Sequence, residues 1–230
     1  VSDSIPKNGP LADRIYLILA ALFITSLVVS NLIFQKFVSI DFSGIYTFEI
    51  SVGVLPYPIT FLITDIVSEV YGQKKANQMV TTGIFASFFS LGIVWTADHF
   101  NAIPTSPLDN EIFTLVFGAT AVAVFASMMA YLLAQYIDIQ IFHWWKKMTK
   151  GKHLWLRNNF STFTSQFVDT FTVLLLLCSF GKLPWEIFTS LLISGFLFKV
   201  LVALLDTPLL YAGVYYLRHL FGLKGSEELH

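Results

Sequence analysis

Long apolar runs separated by short charged stretches set the pattern of this chain. Residues 15–34, 79–97 and 112–135 carry no charge at all. Each meets the ~20 residues that a helix needs to cross a ~30 Å hydrocarbon core. Two further runs, at about 52–70 and 160–180, are apolar but interrupted by a few polar residues. A last one, from about 187 to 217, contains Lys199, Asp206 and Pro208. The pattern predicts an all-α polytopic membrane protein with six transmembrane helices, near 15–34, 52–70, 79–97, 112–137, 160–180 and 187–217. Pro208 removes one helical donor and predicts a kink or break in the last span. Residues 38–51 differ. Val38, Ile40 and Phe42 alternate with polar neighbours, as do Tyr46, Phe48 and Ile50 after Gly44. Period two on both sides of Ser43-Gly44 predicts a short external β-hairpin, with a solvated loop as the alternative.

Composition agrees. Of 230 residues, 55% are hydrophobic and 13% charged, and mean hydropathy is +0.69. A soluble domain does not carry several such runs. The first run is too long for a signal-peptide core and lacks a small-residue cleavage site, so it is expected to be a span. The lone Cys178 excludes an intramolecular disulfide and reads as core packing.

Lys and Arg are distributed unevenly. With a cytoplasmic N-terminus, eleven fall on the cytoplasmic side: Lys7, Arg14, Lys74, Lys75, Lys146, Lys147, Lys150, Lys152, Arg157, Arg218 and Lys224. Only Lys36 and Lys182 fall outside. This bias predicts a multi-pass protein of the bacterial plasma membrane with both termini cytoplasmic. The basic stretch 143–157 then reads as a topology anchor, flanked by interfacial Trp144, Trp145 and Trp155, not as a nucleic-acid site.

Against this apolar background, a few polar residues stand out. Asp65 and Glu69 lie four apart, on one helix face with Phe61 and beside Thr64 and Ser68. Charges near a helix centre in the bilayer cost roughly 2.5–3.5 kcal/mol each, so they are expected to face the bundle interior. Thr162, Ser165, Gln166 and Asp169 follow i, i+3, i+4, i+7 and share a face. Lys199 and Asp206 share another, and Asn31 and Gln35 a third. Asp138, at the end of span four, reads as solvated or as a cap partner. These faces predict one central polar cavity. Asp169 and Lys199 have a second reading, a buried pair that only fixes helix packing. Metalloprotease, nucleophile-elbow and phosphate-loop motifs are absent, and the histidines are scattered, so neither catalysis nor a cofactor or metal is expected.

The segment Phe61-Leu-Ile-Thr-Asp-Ile-Val-Ser-Glu-Val-Tyr-Gly72, with Leu154-Trp-Leu-Arg-Asn-Asn-Phe-Ser-Thr162 and Gln166-Phe-Val-Asp-Thr170, resembles the signature regions of the queuosine-precursor transporters, also called the vitamin uptake transporter family. The resemblance implies import of 7-deazaguanine bases in their nitrile or aminomethyl form. Set beside the polar faces above, such a ligand is expected to be bound by Phe61, Asp65, Glu69, Gln166, Asp169, Lys199 and Asn31. Asp65 or Glu69 would accept the donor edge of the base, and Asp169 and Gln166 would complete the pocket. Lys199 would neutralise a carboxylate or meet the ligand carbonyl. The expected partners are the deazapurine, the lipid bilayer and, as a candidate, a second copy of the chain; no nucleic acid is expected. Two other readings stand beside this one. One is a substrate-binding subunit of an energy-coupling-factor importer, and the other is a structural membrane protein. The residues alone specify only a small polar or cationic solute.

Overall fold

A computed structural model of the chain describes residues 9–33, 36–42, 44, 46–117, 121–181, 183–224 and 227–229. Lys7, Gln35, Ser43 and Lys182 of the sequence reading lie outside these residues. Helix α1 spans Gly9–Ile33, α2 Tyr57–Val70, α3 Gly72–Asp98, α4 Asn110–Phe117, α5 Ala121–Met148, α6 Leu154–Ser179 and α7 Phe188–Phe221. Among the described residues, five segments are long and apolar enough to cross a membrane: α1, Val52–Val70, α3, α6 and Trp185–Phe221. The molecule is a polytopic helical membrane protein with one small sheet.

That sheet is the hairpin expected from the alternation. Strands β1 (Phe37–Phe42) and β2 (Tyr46–Ser51) pair antiparallel, from Phe37 opposite Ser51 to Phe42 opposite Tyr46. Gly44, at a φ of 74° that favours glycine, donates its N–H to Asp41 Oδ1 at 3.1 Å in the turn. A 3-10 turn at Val52–Val54 follows, and Ser30 of α1 hydrogen bonds the Gly53 carbonyl.

One boundary differs from the sequence reading, and the course of the last span past Pro208 was left open by it. The expected span 112–137 is replaced by α4 and by a longer α5, which runs on through Asp138 and the first half of the basic stretch. Apolar content marked the lipid-facing part of this helix, whereas helical hydrogen bonding continues past it into polar sequence. Helix α7 is continuous across Pro208, as one helix of 34 residues. At ~1.5 Å per residue it is ~50 Å long, well beyond a ~30 Å core, so it must tilt or project.

Helix α2 is the axis of the bundle. It starts with a proline in its first turn, where the missing N–H costs nothing. Every residue from Thr60 to Val70 except Leu62 is buried. The surrounding helices alternate in direction. Tyr71 just past α2 donates to Ala12 O at the start of α1 at 2.9 Å. Tyr16 of α1 donates to Lys75 O at the start of α3. Glu69 near the end of α2 meets the end of α5, the start of α6 and the end of α7 through Lys146, Arg157 and Arg218. One end of the bundle therefore gathers most of the basic residues, and the hairpin sits at the other.

Polarity is inverted relative to a soluble protein. Leu17, Phe85, Phe89, Leu205 and Tyr215 are exposed, while Asp65, Glu69, Gln135, Asp138, Arg157, Gln166 and Asp169 are buried. Lipid solvates the apolar exterior, and polar groups must satisfy one another inside.

The α1–α3 contact depends on glycine. A Cβ at Gly83 would lie 2.5 Å from Phe23 Cε1 and 3.3 Å from Leu27 Cδ2, both on buried side chains of α1. Overpacking of this kind costs roughly 1–3 kcal/mol. Gly83→Ala is expected to lower the melting temperature of the detergent-solubilised protein by several degrees. Gly92→Ala, with nothing within 4 Å of its added Cβ, should not lower it. Equal melts for the two variants would show that the contact is slack.

Candidate functional site

The polar face of α2 meets three other helices in successive tiers. The first is at the basic end. Glu69 sits 2.6 Å from Arg157 Nη2, 2.9 Å from Arg218 Nη1 and 3.4 Å from Lys146 Nζ. These cations come from α6, α7 and α5. Arg157 is 1% exposed and lies over the Phe142 ring at 5.4 Å. It also donates to the Gly151 and Lys152 carbonyls, pinning the α5–α6 loop. Lys146 turns its other side to Glu228 at 2.8 Å, and Leu229 N donates to Val70 O. The 227–229 segment thus covers this tier. An open surface cleft of about 1220 Å3 lies beside it, between that segment and the first turn of α3; none of the sequence candidates lines it.

One turn deeper, the Asp65 carboxyl of α2 meets the Asp138 carboxyl of α5. Ser165 of α6 donates to Asp138 Oδ1 at 2.9 Å. Asp65 Oδ1 and Asp138 Oδ2 have no hydrogen-bond partner among the described residues. Asp138 is fully buried, a correction to its reading as a solvated interfacial residue. The longer α5 places it inside the bundle. Beside this tier, Thr64 donates to Gln135 Oε1 at 3.3 Å, and Gln135 Nε2 donates to Tyr131 Oη at 2.7 Å.

The third tier holds the cavities. A small one lies between α2, α6 and α7. Phe61, Tyr57, Thr162, Gln166, Lys199 and Asp206 are among its lining residues. Gln166 Oε1 and Thr162 Oγ1 are buried without a partner among the described residues. Asp206 makes no ion pair among the described residues. Beside the cavity, Lys199 Nζ donates to Asp169 Oδ2 at 2.5 Å. Tyr57 Oη donates to Asp169 Oδ1 at 3.1 Å. A second small cavity lies on another side of Tyr57, lined by Leu27, Asn31, Ile84, Ser87, Met128 and Tyr131 as well. Asn31 Nδ2 and Ser87 Oγ have no partner there among the described residues.

The seven sequence candidates are thus distributed rather than gathered. Phe61, Gln166 and Lys199 share a cavity, with Asp169 bound to Lys199 at its edge. Asn31 lines the second cavity. Asp65 lies in the carboxyl tier, and Glu69 is engaged by three cations. Arg157 and Arg218 were not singled out by sequence, because a Lys/Arg count treats them as topology charges. Asp206 was paired with Lys199 on one face but not assigned to the site. Its i+7 spacing from Lys199 was the available signal.

Removing one partner of a buried ion pair leaves charge uncompensated, at a cost of roughly 3–5 kcal/mol. Glu69→Gln is therefore expected to destabilise the protein strongly, and Arg157→Met less, because Arg218 and Lys146 still compensate Glu69. Adding the second change to the first should cost little more, because the partner charge is already gone. Thermal melts of the two single variants and the double variant measure this. Strictly additive losses would show that the two residues do not act as a pair.

Comparison with known proteins fits this arrangement. The sequence model of a family described as "putative vitamin uptake transporter" matches residues 51–213. A protein of Bacillus subtilis (strain 168) named "probable queuosine precursor transporter" is 27% identical over 163 residues, covering 70% of each chain. No solved structure matches. The family match runs from the end of the hairpin into the second half of α7 and takes in Asp65, Glu69, Asp138, Arg157, Gln166, Asp169, Lys199 and Asp206, and the chain belongs to the vitamin uptake transporter family, as a multi-pass membrane transporter and not an enzyme.

Proposed function

We propose that this transporter imports a 7-deazaguanine base, a queuosine precursor in its nitrile or aminomethyl form, and binds it in the cavity between α2, α6 and α7. The observation that carries the reading is the lining of that cavity. Gln166 and Thr162, each with a side-chain oxygen that has no partner among the described residues, and the Asp206 carboxylate line it together with Lys199 and the aromatic residues Tyr57, Phe61 and Phe198. A guanine-like edge presents adjacent N–H donors beside a carbonyl. Asp206 and Gln166 accept from the donors, and Lys199 donates to the carbonyl. Phe61 and Tyr57 offer faces for the ring, and such stacking is worth ~1–3 kcal/mol per base in nucleic-acid systems. Asp169 is held by Lys199 and Tyr57 and becomes a further acceptor when either lets go. Asp65 forms the floor beneath the cavity with Asp138. Glu69 closes the basic end instead of touching the base. The named relative is a transporter, which favours a self-contained carrier over a subunit that docks to a separate ATPase.

The membrane arrangement in this reading has six spans, with α5 added to the five apolar segments and α4 left at the surface. Both termini face the cytoplasm, as the gathering of basic residues at one bundle end supports. In a Cys178→Ser background, Asn101→Cys should react with an impermeant thiol reagent on intact cells. Lys150→Cys should react only after permeabilisation. The opposite pattern would invert the topology.

Transport itself is tested in cells unable to make the deazaguanine. Asp206→Asn presents a donor to a donor, and Gln166→Leu removes an acceptor. An unsatisfied buried polar group costs ~1–3 kcal/mol, so each change should cut uptake of labelled base about tenfold at equal membrane abundance. Undiminished uptake by both variants would remove the cavity assignment, and no uptake by the unaltered chain would remove the substrate.

A further inference from the structure

The two cavities of the third tier share one wall. Tyr57 lines both. Each cavity by itself encloses room for about one water. A larger ligand therefore needs the wall between them to move. Each also carries buried polar atoms with no partner among the described residues: Gln166 Oε1 and Thr162 Oγ1 in the first, Asn31 Nδ2 and Ser87 Oγ in the second. Gln166 is 4% exposed and Ser87 2%. An unsatisfied polar atom at this depth is costly, and four of them divided between two chambers are most simply satisfied by one ligand that enters both.

We infer that the two cavities are halves of a single substrate site, and that Tyr57 is the movable partition between them. The inference rests on the transport reading above. Tyr57 is held by contacts that a ligand can replace. Its hydroxyl donates to Asp169, the Lys199 ammonium stands 5.1 Å over its ring, and its ring meets Tyr131 edge-on at 5.1 Å. A flat bicyclic base with polar groups at both ends suits the joined space. Its donor edge lies toward Gln166 and Asp206, its face replaces the Tyr57 contact on Tyr131, and its far substituent reaches the Asn31 amide and the Ser87 hydroxyl. Displacement of Tyr57 frees one oxygen of Asp169 in the same movement. Asn31 and Ser87 become specificity-determining residues, although they line a chamber that none of the cations reaches.

The test is equilibrium binding of 7-cyano-7-deazaguanine to the full chain in nanodiscs, with a thermal melt of each variant. Ser87→Ala and Asn31→Leu remove unpartnered groups, so melting should not fall, while the dissociation constant should rise about fivefold or more for each. Tyr57→Phe removes the hydroxyl that competes for Asp169 and keeps the ring, so binding should tighten severalfold. If the unaltered chain binds the base but Ser87→Ala and Asn31→Leu bind it equally well, the second cavity is no part of the site and the inference fails alone. If the unaltered chain binds no deazaguanine, the inference fails together with the substrate reading. Should Asn31→Leu fold poorly, Ser87→Ala, which only trims a hydroxyl, decides by itself.

Discussion

The bundle is organised around a carboxylate that lipid cannot solvate. Glu69 stands one residue from the end of α2, with its side chain inside the protein, and Arg157, Arg218 and Lys146 reach it from three separate helices. Few other arrangements are open to it. An isolated ion in a low-dielectric interior is prohibitive, whereas a compensated one ties its partners together in a fixed geometry. The ends of α2, α5 and α7 and the start of α6 are therefore brought to one point. Helix directions, loop positions and the burial of α2 all follow from that convergence.

Polar tiers stacked along α2 divide the interior by chemistry. At the basic end, charge is matched by charge, and the 227–229 segment lies across it. In the middle, Asp65 and Asp138 meet without a cation bound to either among the described residues. Toward the hairpin end, partners run short, and cavities appear where Gln166, Thr162, Asn31 and Ser87 are left over.

The elements were legible in the chain because hydrophobic periodicity answers to lipid. Runs of ~20 apolar residues mark spans whatever their neighbours, and alternation about Gly44 marked the hairpin. The face of α6 with Thr162, Ser165, Gln166 and Asp169 is buried as its spacing predicts. The proximity of Asp169 and Lys199 could be suspected, since both charges lie inside apolar runs. Asp138 was misplaced because apolar content gives no sign of where α5 ends. The sequence left open whether the last span breaks at Pro208; the helix continues because one missing hydrogen bond inside a long helix does not end it.

The sequence by itself determined that this is a helical membrane protein with inward-facing acids, the side on which its basic residues gather, and the motifs of its family. Each depends on residues close together in the chain or on the sum of composition. Tertiary structure decided which polar residues meet. Glu69 and Arg218 are 149 residues apart and Tyr57 and Asp169 are 112 apart, and no local pattern says which cation takes which carboxylate. Helical spacing placed Asp65 and Glu69 on one face, but their partners gave them different surroundings: one carboxyl stands beside another, and the other is neutralised by three cations. Only the relative depth and rotation of packed helices could make that difference, because it depends on which side chains arrive at the same height.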